Sequence, residues 1–88
     1  MKKFLITYDL LTPGKDYHEL FDAIESLSGH SWHGMQNIWF VKSVRLTSGS
    51  IRDILQNHVD SNDKLFICEL SDWASYNISK EGVNWLNS

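Results

Sequence analysis

Asp9 closes the apolar run Phe4-Leu5-Ile6-Thr7-Tyr8, and a carboxylate at the end of such a run offers two kinds of chemistry. It can ligate a hard cation such as Mg²⁺, whose remaining coordination positions go to water and substrate phosphates. It can equally cap the turn that follows, a common use of aspartate. Asp63, closing the polar stretch Asp60-Ser61-Asn62-Asp63, is the second candidate for the same metal, and it too reads as a turn residue. His33 is the candidate acid or base beside a phosphodiester, because an unperturbed imidazole titrates near neutrality. A hydrogen-bonded structural histidine is the alternative. His30 and His33 stand three apart in strand-like sequence, so they point to opposite faces and make no ready zinc pair. His18 and His58 read as helix-surface residues.

Phosphate-binding chemistry has a separate set of candidates. Thr12, Gly14 and Lys15 run into a helix N-terminus, where backbone N–H groups and a lysine suit an anion. Lys64 is a further cation at the start of a strand-like run. Trp32 and Trp39 are candidates to stack on a base, an interaction worth about 1–3 kcal/mol; core or dimer packing is the other use of such residues. Trp73 and Trp85 are expected to pin the tail. The chain carries no nucleophile elbow, dinucleotide fingerprint, metal-binding cysteine set or long basic run.

The totals bound what these residues serve. A net charge of −3 with eight basic residues is unlike a dedicated duplex binder, which neutralises phosphates with many Lys and Arg. Any basic surface must be local or doubled by a dimer. The one cysteine, Cys68, lies in an apolar run and makes no internal disulfide. The N-terminal apolar stretch meets Asp9 before reaching the length of a signal peptide, and no stretch approaches the roughly 18 residues of a membrane span. The expectation is a cytoplasmic protein without a membrane partner.

The elements that must position these groups can be read from periodicity. Residues 3–11 form a nearly continuous apolar run suited to a strand covered on both faces. Thr12-Pro13-Gly14 makes a turn, Asp16 and Glu19 stand at capping-box spacing, and Tyr17, Leu20, Phe21, Ile24 and Leu27 make one helical stripe. Residues 30–34 and 37–44 read as two strands joined by a tight hairpin. Thr47 to Ser50 supply capping oxygens, with Ser50 and Asp53 at box spacing, and Ile51, Ile54, Leu55 and Val59 form a second stripe. Residues 64–70 are a fourth strand, and the tail ends in a short helix or extra strand around residues 80–86.

This β-α-β-β-α-β order is the split βαβ pattern. It predicts one α+β domain over residues 1–88, a ferredoxin-like sandwich with an antiparallel sheet ordered 4-1-3-2, two helices on one face and a short C-terminal extension. Asp9, the Thr12–Lys15 loop, Gln36, Asn37, Asp63 and Lys64 should gather at one pole, with Lys2, Lys3, His30, Lys42 and Arg45 at the other. The helix-free face is expected to stay apolar, so a second copy of the chain or the tail must cover it.

Phe4-Leu5-Ile6-Thr7-Tyr8-Asp9-Leu10, the stretch from there to Pro13-Gly14-Lys15-Asp16-Tyr17, Ile38-Trp39-Phe40-Val41-Lys42, and Ile51-Arg52-Asp53 to Asn62-Asp63-Lys64-Leu65 carry a resemblance across most of the chain. They resemble the small endonuclease-like subunit of the CRISPR adaptation complex, and more closely its short stand-alone relatives. The resemblance implies a ferredoxin-like homodimer in which Asp9 faces its symmetry mate and binds Mg²⁺ for cleavage of RNA or DNA. Other members of that family serve only as architectural nucleic-acid binders. Beside this reading stand two others: a non-catalytic binder, of phage or mobile-element type, that sequesters a signalling nucleotide, and an anti-defence inhibitor that binds a host protein through its sheet edge or Trp-rich face.

Overall fold

The computed structural model describes residues 1–12 and 16–88. Four strands, β1 (Lys2–Asp9), β2 (Ser31–Met35), β3 (Ile38–Ser43) and β4 (Lys64–Glu69), alternate with the helices α1 (His18–Glu25) and α2 (Ser48–Leu55), and α3 (Lys80–Asn87) ends the chain. The sheet is antiparallel and ordered β2-β3-β1-β4, the ferredoxin-like arrangement expected from the element order. β1 and β3 therefore lie inside the sheet, and β2 and β4 are its edges.

Strand alternation divides the side chains of β1 cleanly. Phe4, Ile6 and Tyr8 are buried with Trp39 and Val41 of β3 against Leu20 and Ile24 of α1 and Ile51 and Leu55 of α2. Leu5, Thr7 and Asp9 take the opposite, helix-free face. The registers Leu5↔Phe40, Leu5↔Cys68, Thr7↔Phe66 and Asp9↔Lys64 put Phe40, Cys68, Phe66 and Lys64 on that same face.

The tail covers part of this second face, which resolves one of the two alternatives for that region. Trp32 and Phe40 stack with centroids 5.3 Å apart, and Trp85 of α3 lies against Trp32 at 6.2 Å. Gly82 allows the approach: a methyl group there would meet the Trp32 ring at 2.2 Å. Lys42, 5% exposed, passes beneath the same helix, with its ammonium 4.2 Å from the Trp85 ring centre and a hydrogen bond to the Ser88 hydroxyl. Burial, and then the charge of Lys3, lowers the Lys42 pKa. Away from the tail, Phe66 remains 64% exposed.

Helix ends differ from their expected form. α1 begins without a side-chain cap; Asp16 instead accepts from the His18 amide at 2.9 Å, an Asx turn, and the Asp16–Glu19 box is not formed. The box of α2 lies three residues earlier than expected. Thr47 Oγ1 accepts from the Ser50 amide and Ser50 Oγ from the Thr47 amide, while Asp53 is engaged with Arg52 at 2.9 Å. The β2–β3 hairpin has the expected tight turn, with Gln36 and Asn37 between the paired Met35 and Ile38, and an irregularity in β2 between His33 and Met35. Among the described residues, no helix is long and apolar enough to cross a membrane.

Candidate functional site

The sheet brings Asp9 and Lys64 together as the sequence reading expects. β1 ends where β4 begins, so antiparallel pairing sets the two residues directly across from each other, both exposed. One pleat along, Thr7 stands across from Phe66 on the same face. Thr7, Tyr8, Asp9, Lys64, Leu65 and Phe66 line a shallow depression open to solvent. It presents a carboxylate, an ammonium, a hydroxyl and an exposed aromatic ring within two rows of one sheet.

Asp63 is one residue from Lys64 but has a different task. Its Oδ1 accepts from the Leu11 amide at 2.8 Å and the Tyr17 hydroxyl at 3.0 Å, and its Oδ2 accepts from the Asp60 amide at 2.8 Å. Thr12 Oγ1 donates to Asp60 Oδ2 at 2.8 Å, and the Thr12 amide donates to the Tyr17 hydroxyl at 3.4 Å. These bonds tie the segment after β1 to the turn before β4. Desolvation pushes the Asp63 carboxyl pKa up, but donors to its ionised form outweigh that effect and hold it below the ordinary aspartate value. Asp63 and Thr12 thus fix the segments that follow β1 and precede β4; Gly14 and Lys15 lie outside the described residues.

The remaining candidates are used in packing. Trp39 is 6% exposed, and its indole N–H donates to the Tyr8 hydroxyl at 3.2 Å. Burial raises the Tyr8 pKa, against the smaller opposing effect of that bond, so the phenol stays neutral. His33 stacks on Trp39 with centroids 4.2 Å apart and planes 9° from parallel, and its Nε2 lies 3.2 Å from the Gln36 carbonyl. Both residues belong to the helix-covered side, away from the Asp9 face. Trp32 is half-buried under α3. Folded as they are, Trp39 and Trp32 support the two layers, and the aromatic ring beside Asp9 is Phe66, which the sequence reading did not single out. Its signal was present in the alternation Lys64-Leu65-Phe66-Ile67, which separates Phe66 from the core-facing Leu65 and Ile67.

The donor set fits Mg²⁺ in one limited way. No group of three or more His, Cys, Asp or Glu side chains converges among the described residues, and Asp9 is the carboxylate that lines the depression. Mg²⁺ is commonly held by one or two carboxylates with water and substrate phosphates, so Asp9 suits a site completed by substrate or by a second chain. The ion would supply charge neutralisation to a phosphodiester. Lys64, across the strand, adds a protein-borne positive charge for a phosphate.

No family model matches the chain, and no solved structure matches it. The class defined by the fold is a ferredoxin-like α+β protein with an added C-terminal helix on its sheet.

Proposed function

We propose that this chain handles single-stranded nucleic acid as a homodimer, with the helix-free face around Asp9 as its contact surface. The observation that carries the reading is the quartet of exposed Asp9, Lys64 and Phe66 with half-buried Thr7 on adjacent rows of β1 and β4. Lys64 takes a phosphate, Phe66 stacks on a base, and Asp9 holds Mg²⁺ against the backbone. The resemblance to the CRISPR adaptation subunit supports the same role for Asp9. Dimerisation would place a second Asp9 and a second Lys64 in one assembly, offsetting the thin single-chain ligand set and the acidic balance.

The testing experiment incubates the purified protein with short RNA, single-stranded DNA and duplex DNA, in Mg²⁺, Mn²⁺ or EDTA, beside Asp9→Ala. Cleavage that needs the metal and disappears in Asp9→Ala supports the nuclease form of the reading. Binding without cleavage supports an architectural or sequestering role on the same surface. Absence of both sinks the proposal. A second reading, an inhibitor of a host protein, is favoured by the unpaired outer edge of β4 with Phe66 projecting beside it, a surface able to add a partner's strand. A specific protein complex lost in Phe66→Lys, with no nucleic-acid binding, would mark that outcome.

A further inference from the structure

The tail does not lie flat on the sheet. Between the helix-free face and the segment from Leu70 to Ile78 is a pocket of about 260 Å³, walled by Trp32, Phe40, Trp73, Ala74, Ser75 and Tyr76 among others. No charged side chain lines it. Its inner wall is held firmly, because Trp32 is fixed by its stack on Phe40, by Trp85 and by the close approach of Gly82. Its outer wall belongs to a loop whose turn uses Asn77 at φ 60°, a left-handed conformation that asparagine adopts more readily than most residues. Tyr76, 88% exposed, stands at the mouth.

Resting on the nucleic-acid reading above, we infer that this pocket takes one unpaired nucleobase of the strand whose backbone is held at Asp9 and Lys64. Charge complementarity is the first argument: uncharged walls suit a base and reject a phosphate, which has Lys64 nearby. Size is the second. Pockets for drug-sized ligands run from roughly 300 to 1,000 Å³, so 260 Å³ suits a single ring system better than a whole nucleotide. Continuity is the third. Leu5 lines the pocket and Thr7 lines the Asp9 depression, two residues apart on one face of β1 and so about 7 Å apart along the strand. The hydroxyls of Ser75 and Tyr76 offer hydrogen bonds to a base edge.

The test measures binding of a short single-stranded DNA carrying one 2-aminopurine, beside the same oligonucleotide with that base removed. Wild-type protein should quench the 2-aminopurine and bind the intact strand roughly tenfold or more tighter than the abasic one, as stacking on aromatic side chains predicts. Tyr76→Ala and Trp73→Ala should each remove most of this preference, and Ala74→Trp, which fills the pocket, should abolish it. Thermal melts identify any variant that fails to fold; Tyr76→Ala, altering an exposed side chain, remains informative in that case. Lys64→Ala should weaken intact and abasic strands alike. If both strands bind equally, with affinity sensitive to Lys64 but not to Tyr76 or Ala74→Trp, the base pocket is overturned while the nucleic-acid reading stands. If neither strand binds, both fall.

Discussion

Two hydrogen-bonded side chains organise the C-terminal end of β1, and each makes a separate test. Tyr8 receives the buried indole N–H of Trp39, so Tyr8→Phe leaves that donor without a partner while keeping the ring. The expected cost is about 1–3 kcal/mol, read as a lower urea midpoint with unchanged m-value. Asp63 is a pH-dependent clasp. Because its pKa is lowered on folding, it stabilises the fold at pH above the unfolded aspartate value of about 3.9, and that stability disappears as pH falls through the lower folded value. Asp63→Asn should therefore lose stability near neutrality, since an amide nitrogen at either oxygen position faces an N–H donor. It should also show a flatter loss between about pH 5 and pH 2; an unchanged acid profile would refute the clasp. The sequence marked Asp63 as a turn residue or a metal ligand. What it did not show was the partner, because Leu11 and Tyr17 are distant in the chain and meet Asp63 only after β4 has paired with β1.

Elements were more legible than their ends. The stripe of Tyr17, Leu20 and Ile24 and the alternation in β1 and β3 reflect burial repeated over several turns or pleats, and every such residue repeats the same message. Caps depend on one or two atoms: Thr47, Ser50 and Asp53 all offer box-like spacings, and the extended backbone of Thr47 selects the first pair. α3 was marked as a helix or a strand, and its docking partner lay beyond the reach of periodicity. Gly82 was the available clue, since glycine within an amphipathic stripe that includes Leu86 calls for a packing reason. In an exposed helix, glycine to alanine gains up to about 1 kcal/mol. Here the added methyl would meet Trp32 at 2.2 Å on a buried ring contact, and overpacking of that kind costs about 1–3 kcal/mol. Gly82→Ala should thus destabilise the protein and expose Trp85, seen as a red-shifted tryptophan emission before global unfolding; a stabilised, unshifted variant would contradict the docked position of α3.

At the scale of the molecule, charge decides what kind of nucleic-acid contact the proposal allows. With eight basic residues and a net charge of −3, the chain has little cationic charge to spread over a duplex. The basic group on the proposed surface is Lys64, while Lys3 and Lys42 sit at the other end of the sheet, paired across β1 and β3. Affinity must then come largely from aromatic contact, with few released counterions. For single strands the logarithm of the binding constant falls with the logarithm of salt by about 0.7 per neutralised phosphate. A homodimer presenting Lys64 twice gives a slope of about −1.4, whereas six phosphate contacts on a duplex would give about −5. Fluorescence anisotropy of a labelled single strand between roughly 50 and 200 mM salt measures the slope. A shallow slope that falls to near zero in Lys64→Ala, which removes the lysine from both subunits, fits a local phosphate contact supported by stacking. A slope near −5 would mean that basic groups at the opposite pole carry the binding, and the contact surface would have to be moved there.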